Sequence, residues 1–383
     1  AVLAVAGLLR KKRRRGFAAW GLALALVALV LTGGLLYADH YLTGKMTTDD
    51  DFDSLSASDL HQTATEADGR LEREERFSEA LSGLEEQLAD LPSFTEVDRY
   101  LLSNNDIPAE ALAKLDTGKA PRSSYLSSDA SKIQVFVLFG LDGVDSSDSV
   151  MLVALDRVHQ KIKLISLARD SYVFIPEFAS FSKLAYSYTW GGAAMAVKNL
   201  NYNYYLNVSD YIAVDFDQLA QIIDRIGGVT VNIDEDEARY LSGYPNVRVG
   251  DCLLDGETAV SYARIRKSSA TDSDRKRTGR QREVILSILN TLQTMPLSQY
   301  PGFVRDCLGM CATSFEAETL LTMAAETLGQ NYTVEQYFFP EGQVDWWAGL
   351  IKEYFYYVYD LRRASDRIYR IIYEELYISG YDD

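Results

Sequence analysis

Residues 133–169 carry three apolar runs in close succession, IQVFVLFGLD (133–142), SVMLVALD (149–156) and KIKLISLAR (161–169), parted by short polar turns. Their Val, Ile, Leu and Phe content favours extended chain. The first two runs are apolar almost throughout, KIKLISLAR alternates, and all three read as buried central strands. Downstream, GAAMAVKNL (192–200) and DQLAQIIDRI (217–226) have helical texture, while DYIAVDF (210–216) and GVTVNI (228–233) read as strands. This alternation predicts one layered α/β domain, a mixed central sheet flanked by helices. REVILSILNTLQ (282–293) and EAETLLTMAAETL (316–328) add two helices, VEQYFFP (334–340) a strand, and RASDRIYRIIYEELY (363–377) a last helix after an aromatic-rich stretch.

Upstream the texture changes. Residues 43–131 are acidic and rich in Ser, Thr and Ala, with one amphipathic segment, LEREERFSEALSGLEEQLADL (71–91), whose Leu and Phe recur at helical spacing. Its charge run is read as a solvated helix face. Residues 16–38, GFAAWGLALALVALVLTGGLLYA, contain no charged side chain and are long enough to span the hydrocarbon of a bilayer. Lys11, Lys12, Arg13, Arg14 and Arg15 precede this run, and Asp39 and Asp49 to Asp51 follow it, so the positive-inside rule leaves the N-terminus cytoplasmic. A cleavable signal peptide is the competing reading, but the run is long for one and lacks a small-x-small cleavage site. The expected organisation is a cytoplasmic tail (1–15), a transmembrane helix (16–38), an acidic helical stalk or accessory region (39–132) and an extracellular catalytic domain (133–383).

A net charge of −17 over 383 residues opposes generic binding to nucleic acid or anionic membrane surfaces, which makes any local cluster of basic residues stand out. Cys252, Cys307 and Cys311 make no disulfide framework, and the Cys307/Cys311 spacing lacks the second ligand pair of a structural zinc site, so they read as packing residues. His40, His61 and His159 share no motif, which speaks against a His-based triad or zinc hydrolase.

Three segments can carry chemistry. Asp142 ends the first strand and Asp148 opens the second, so their turn can bring two carboxylates to a sheet edge, as Mg²⁺ requires. Taken alone, such aspartates serve turns equally well. Arg169 and Asp170 end the third strand, where they can face a ligand or simply pair with each other. The richest segment is YARIRKSSATDSDRKRTGRQ (262–281): Arg264 and Arg266 alternate on one face of an extended run, followed closely by Arg275, Lys276, Arg277, Arg280 and then Arg282. Guanidinium forks match phosphate oxygens, so a phosphate or polyanion ligand outweighs a solvated basic loop. Two carboxylates, converging arginines and no obvious nucleophile constitute equipment for phosphoryl transfer. No Walker loop or kinase signature is present, which disfavours a nucleotide substrate.

GLD (140–142) with SDSVMLV (147–153), SLARDSYVFIP (166–176), KLAYSYTWGG (183–192), DYIAVDF with RIGGVTV (225–231), LDGETAVSYARIR (254–266) and DRKRTGRQ (274–281) resemble, as an ordered set, the LytR-CpsA-Psr family. The resemblance runs from about Ile133 to Tyr377. It implies a single-pass membrane protein whose extracellular domain attaches glycopolymers (teichoic acid, capsular or other wall polysaccharide) to the cell wall. By motif, Asp142 and Asp148 match the family's Mg²⁺-associated aspartates, and Arg169, Arg264, Arg266 and Arg277 match arginines that hold the diphosphate of a polyprenyl-linked substrate. Asp274 and Gln281 fall at the ends of the family's D-x-x-R-x-x-R-Q motif, with Arg277 and Arg280 between them; Arg280, Gln281 and Lys183 are expected to bind substrate. Asp142, Asp170 and Asp274 all remain admissible as general base. Ala168, Ser146 and Ala185-Tyr186 depart from the family's usual residues, which leaves the polymer open.

The function this implies is phosphotransfer of a glycopolymer from a polyprenyl-diphosphate carrier to a peptidoglycan hydroxyl, with the lipid tail in an apolar pocket between sheet and helices. A diphosphatase using water at the same site is the first alternative. A non-enzymatic, lipid-binding envelope regulator is the second. Direct action on DNA is disfavoured, because a tail of about 15 residues has no room for a helix-turn-helix.

Overall fold

The computed structural model describes residues 97–103, 106–115, 126–142, 146–266, 270–296, 299–328, 332–340 and 344–378. The expected tail, membrane span and most of the expected stalk lie outside them. No helix among the described residues is long and apolar enough to cross a membrane.

The three apolar runs form β1 (Ile133–Leu141), β2 (Ser147–Asp156) and β3 (Lys161–Leu167), an antiparallel meander. A small ribbon follows, β4 (Tyr172–Ile175) with β5 (Ser180–Lys183), then helix α1 (Leu184–Tyr204) and β6 (Tyr211–Asp215). Next come α2 (Phe216–Arg225), β7 (Val229–Ile233), α3 (Glu235–Tyr240), β8 (Gly250–Leu254), α4 (Gly256–Ala263) and the long α5 (Ala270–Thr294). The chain continues through α6 (Tyr300–Leu308), β9 (Ala312–Thr313), α7 (Ala317–Leu328), β10 (Thr333–Phe339), β11 (Trp346–Ile351), β12 (Tyr354–Tyr359) and α8 (Leu361–Tyr373). The central sheet has the order β10-β3-β2-β1-β6-β9 and is mixed: β10 with β3 and β1 with β6 are parallel, and the remaining pairs are antiparallel.

Both faces of this sheet are covered, which is why its strands are apolar almost throughout. Val137, Phe139, Leu152, Ile165 and Leu167 face α1 and α8, where Ala193, Val197, Leu200, Ile368 and Ile372 complete one core. Phe136, Met151, Val153, Leu155, Ile162 and Leu164 face the other way, against Phe315 and Tyr332 and the partly buried Ile285, Leu289, Leu320 and Met323 of α5 and α7. Each large side chain buried this way stabilises the fold by roughly 1.5–3 kcal/mol. At the edge opposite the site, Asp156 is buried and accepts from Lys163, whose Nζ lies 2.8 Å away; His159 Nδ1 lies 2.6 Å from the same carboxylate. That cluster is closed by lysines and reads as a structural ion-pair network.

Several expectations are corrected. GVTVNI forms β7, but among the described strands β7 pairs with β8 alone, and this hairpin builds a second small core with α2, α3 and α4 around Ile223, Val231, Leu254 and Tyr262. Gly227 and Gly228, at φ 85° and 102°, turn the chain away from the main sheet in a conformation that side chains with a Cβ resist. Helix α1 starts at Leu184, eight residues earlier than its apolar pattern, and contains a break at Gly191 and Gly192, where φ is 62° at the second glycine. Helix α5 begins at Ala270, twelve residues before the helix expected from Arg282, and includes DRKRTGRQ. The C-terminal end of the expected stalk packs on the domain: Val97, Leu101, Leu102, Ile107 and Ala111 are buried, and Leu102 bridges to Phe181. The aromatic-rich stretch is the β11–β12 hairpin.

Candidate functional site

The register brings the carboxyl ends of β1, β3, β6 and β10 to one edge, where β2 begins. Leu141 lies opposite both Ser147 and Asp215, and Leu167 opposite both Val150 and Phe339. Ligands of open α/β sheets gather at such an edge. Asp148 is the second residue of β2, and Arg169 follows the buried Ala168, whose N–H donates to the Phe339 carbonyl at 2.8 Å and so fixes where the guanidinium emerges.

Three guanidiniums converge on one carboxylate oxygen. Arg169 Nη1 donates to Oδ1 of Asp148, and Arg266 Nη2 and Arg277 Nη1 each lie 3.6 Å from that atom. Arg277 is only 2% exposed and also bonds Asp274, one helical turn earlier on α5. Among the described residues, Arg169 Nε, Arg277 Nε and Nη1, Asp274 Oδ2 and Gln281 Oε1 are buried without a hydrogen-bond partner. Buried donors in this state are costly, and the three on Arg169 and Arg277 could be satisfied by an anion with several oxygens.

The charges strain against one another. The Arg266 side chain is still 52% exposed, and its partial desolvation, followed by Arg277 and Arg169, pulls the guanidinium below its ordinary pKa. Burial pushes the Asp274 carboxyl up, helped by Asp170 and opposed by Arg277 and Arg169. Burial also works against the Arg169 cation, but Asp170, Asp148 and Asp274 together hold its pKa above the ordinary value.

On the other side of Arg169, its Nε is 3.7 Å from Asp170 Oδ2, and Asp170 Oδ1 accepts from Lys183 Nζ at 2.7 Å. Asp142 closes its own turn: Oδ1 accepts the Ser146 N–H at 3.2 Å, and the Asp142 N–H donates to the Ser146 carbonyl at 3.0 Å. As oxygen donors on adjoining strand ends, Asp142 and Asp148 suit Mg²⁺ in kind. Yet the Asp148 oxygen that faces the cluster is already claimed by arginines.

Arg264 and Arg266 do not share an extended face. Helix α4 runs to Ala263, Arg264 caps it, and the Arg264 guanidinium lies 4.4 Å over the Phe216 ring, beside the β6 end, while Arg266 points to Asp148. A helical cap turns successive side chains by about 100° each, which separates two residues that a strand would align. Arg280 is buried and turned away from the cluster, donating to Glu237 Oε1 at 2.7 Å and to the Ile265 carbonyl at 3.0 Å. Two features escaped the sequence reading. Arg282 reaches back to Ser166 Oγ at 2.7 Å on the α5-facing side of β3, and a group of tyrosines from distant segments surrounds Lys183. Only the basic run itself hinted at the first. None of the three cysteines is in a disulfide; burial pushes Cys307 up to about 12 and Cys311 to about 11, which makes both inert.

A layered α/β domain with an arginine cluster at the carboxyl edge of a mixed sheet is the class that fold and site define. The LytR_cpsA_psr family matches residues 105–368, and the chain belongs to that family. It is 29% identical over 230 residues to the polyisoprenyl-teichoic acid–peptidoglycan teichoic acid transferase TagU of Oceanobacillus iheyensis, covering 57% of this chain and 69% of that one. It is 30% identical over 166 residues to the protein of the same name from Enterococcus faecalis, covering 42% of this chain and 54% of the relative. In three dimensions it is similar to the Bacillus subtilis protein YwtF (TagT) with bound octaprenyl pyrophosphate lipid, with a TM-score of 0.51 at 18% identity, covering 68% of this chain and 98% of that one.

Proposed function

We propose that this chain is a phosphotransferase that moves a glycopolymer from a polyprenyl-diphosphate carrier to a peptidoglycan hydroxyl. The observation that carries the reading is the convergence of Arg169, Arg266 and Arg277 on one anionic oxygen, with buried donors of Arg169 and Arg277 left unused. A diphosphate supplies the oxygens those donors lack. The relatives' names, and the lipid pyrophosphate named with TagT, support the same substrate class.

In this reading the polyprenyl tail runs from the arginines along the α5-facing side of the sheet, where Leu138, Ile212, Ile285 and Leu289 are only partly buried. The acceptor hydroxyl attacks the sugar-side phosphorus. A bond forms between the acceptor oxygen and that phosphorus, the bond to the bridging oxygen breaks, polyprenyl phosphate leaves, and the hydroxyl proton passes to a carboxylate. Asp274 suits that proton, since burial raises its pKa above that of an ordinary carboxyl; Asp170, 3.7 Å from Arg169, is the alternative acceptor. Arg169, Arg266 and Arg277 hold the charge that moves onto the leaving phosphate. Asp142 and Asp148 are the residues that would hold Mg²⁺, which when bound neutralises phosphate oxygens. Lys183 and Gln281 flank the substrate, Arg264 lies at the mouth, and Arg280 positions the 264–266 segment from behind. The membrane anchor at 16–38, with the domain on the outer face of the cell, belongs to the same proposal because the substrate is lipid-borne.

The test is release of polyprenyl phosphate from a synthetic polyprenyl-diphosphate glycan by the purified chain with Mg²⁺ and peptidoglycan fragments. Release with the glycan joined to peptidoglycan is expected. Release without joining replaces the transferase by a diphosphatase, and binding without release replaces it by a lipid-sensing regulator.

A further inference from the structure

We propose that Tyr100, Tyr186 and Tyr354, gathered around Lys183 beside Asp170, form a pyranose-binding platform that seats a sugar ring next to the arginine cluster. The inference rests on the phosphotransferase reading and names a subsite for its glycan. Four separate elements build the platform: the turn at Asp98–Tyr100, the end of β5, the first turn of α1 and the start of β12. The Tyr100 ring lies 5.1 Å from that of Tyr186, tilted by 56°, and 5.6 Å from that of Tyr354, tilted by 51°. Lys183 Nζ stands 6.0 Å from the Tyr186 ring, 5.8 Å from Tyr354 and 5.3 Å from the more deeply set Tyr356. All three outer tyrosines are half-buried, and the Arg99 guanidinium lies 4.4 Å over the Tyr100 ring.

A polyprenyl chain gains nothing from phenol hydroxyls, a lysine and a carboxylate. A pyranose has one apolar C–H face and a rim of hydroxyls, and it matches both halves of this surface. Position argues the same way. From Asp148 through Arg169 to Asp170 and Lys183 the contacts are continuous, at 3.7 Å and 2.7 Å for the last two steps, so the platform begins where a group attached to a bound phosphate must lie. Tyr100 and Tyr186 pack with the core on the α1 side of the sheet, opposite the α5-facing side to which the lipid is assigned above. The break at Gly191–Gly192 separates Leu184–Trp190 from the rest of α1, and Tyr186 is braced from behind by Trp190, 5.2 Å away. Burial pushes the Tyr186 phenol up to about 12, so it stays a neutral donor at physiological pH.

The sugar can belong to the acceptor glycan or to the donor. The full chain in detergent is titrated by calorimetry with three probes: a soluble peptidoglycan tetrasaccharide, N-acetylglucosamine 1-phosphate and geranyl diphosphate. Tyr186→Ala and Tyr354→Ala are expected to weaken a sugar probe at least tenfold, Tyr186→Phe by less than about threefold, and none to change geranyl diphosphate affinity more than twofold. Loss confined to the tetrasaccharide assigns the platform to the acceptor, and loss confined to the sugar phosphate assigns it to the donor. Unaltered binding of both sugars in both alanine variants, or no sugar binding by the wild-type chain, overturns the proposal. Failure of geranyl diphosphate to bind the wild-type chain would instead sink the phosphotransferase reading, with the sugar titrations still judging the platform.

Discussion

Arg280 donates through Nε to Oε1 of Glu237 at 2.7 Å, joining α5 to α3 across 43 residues of sequence, with both side chains buried. Its Nη1 holds the Ile265 carbonyl at 3.0 Å, between the two arginines of the 264–266 segment. An arginine of the signature run is thus a brace for another arginine. Glu237→Gln should cost about 3 kcal/mol by leaving a buried guanidinium without its counter-charge. That predicts a fall in Tm of roughly 10 °C, at 2–4 °C per kcal/mol for a domain of this size. At a temperature where the variant stays folded, activity should drop by about tenfold as Arg266 loses its support. A melt unchanged from wild type would show that the brace is idle.

Arg266→Ala should separate function from stability. The Arg266 guanidinium is disfavoured by burial and by its neighbours Arg277 and Arg169, so removing it relieves repulsion. Tm is expected to stay within about 2 °C of wild type or to rise, while polyprenyl phosphate release falls by a factor of roughly 10²–10³, the usual cost of losing one charge-stabilising donor. A lower Tm together with normal release would reverse this account.

Asp274→Asn should alter the pH response. Burial raises the Asp274 pKa in the folded chain, so the folded state holds a proton that the unfolded chain releases at lower pH. Its contribution to stability is therefore full below the unfolded carboxyl pKa and is lost as pH rises through the folded value. Wild-type Tm should fall across that window, and the asparagine variant should fall less. Parallel pH profiles of Tm for the two proteins would exclude a raised Asp274 pKa.

Gly256→Ala should be among the most damaging single-methyl changes in the domain. A Cβ at Gly256 would collide with the Ala220 carbonyl of α2, and the Gly256 N–H donates to Asp224 Oδ1 at 2.7 Å, so α4 and α2 cross here with no room to part. Backbone obstructing a methyl group cannot swing aside as a side-chain tip can. A loss of about 3 kcal/mol or more is expected, read from urea melts. Gly243, where an added Cβ would meet nothing within 4 Å, is the control, and Gly243→Ala should cost under about 1 kcal/mol.

Much of this was legible before any coordinates. The three runs from Ile133 to Arg169 are apolar because both faces of the sheet are covered, so their texture alone announced central strands. The basic run was equally visible as a positive patch in an acidic chain. Its division of labour was not: Arg277 faces Asp148, Arg280 faces Glu237 and Arg282 faces Ser166. Each direction depends on the helical phase and on what packs alongside α5, and the apolar pattern places the start of that helix a dozen residues too late. GVTVNI had a good strand pattern, but pattern carries no information on which sheet a strand joins.

The amino-acid sequence by itself determined the layered α/β class, the presence of an arginine-rich segment in an acidic chain and the family, because burial periodicity and charge clustering are local properties written residue by residue. Tertiary structure alone decided that Arg169, Arg266 and Arg277 meet at Asp148, that Arg280 turns to Glu237 and the Ile265 carbonyl, and that Tyr100, Tyr186 and Tyr354 gather around Lys183. Those groupings join residues up to 254 positions apart (Tyr100 to Tyr354), and what brings them together is strand register and helix packing, which no short window of sequence encodes.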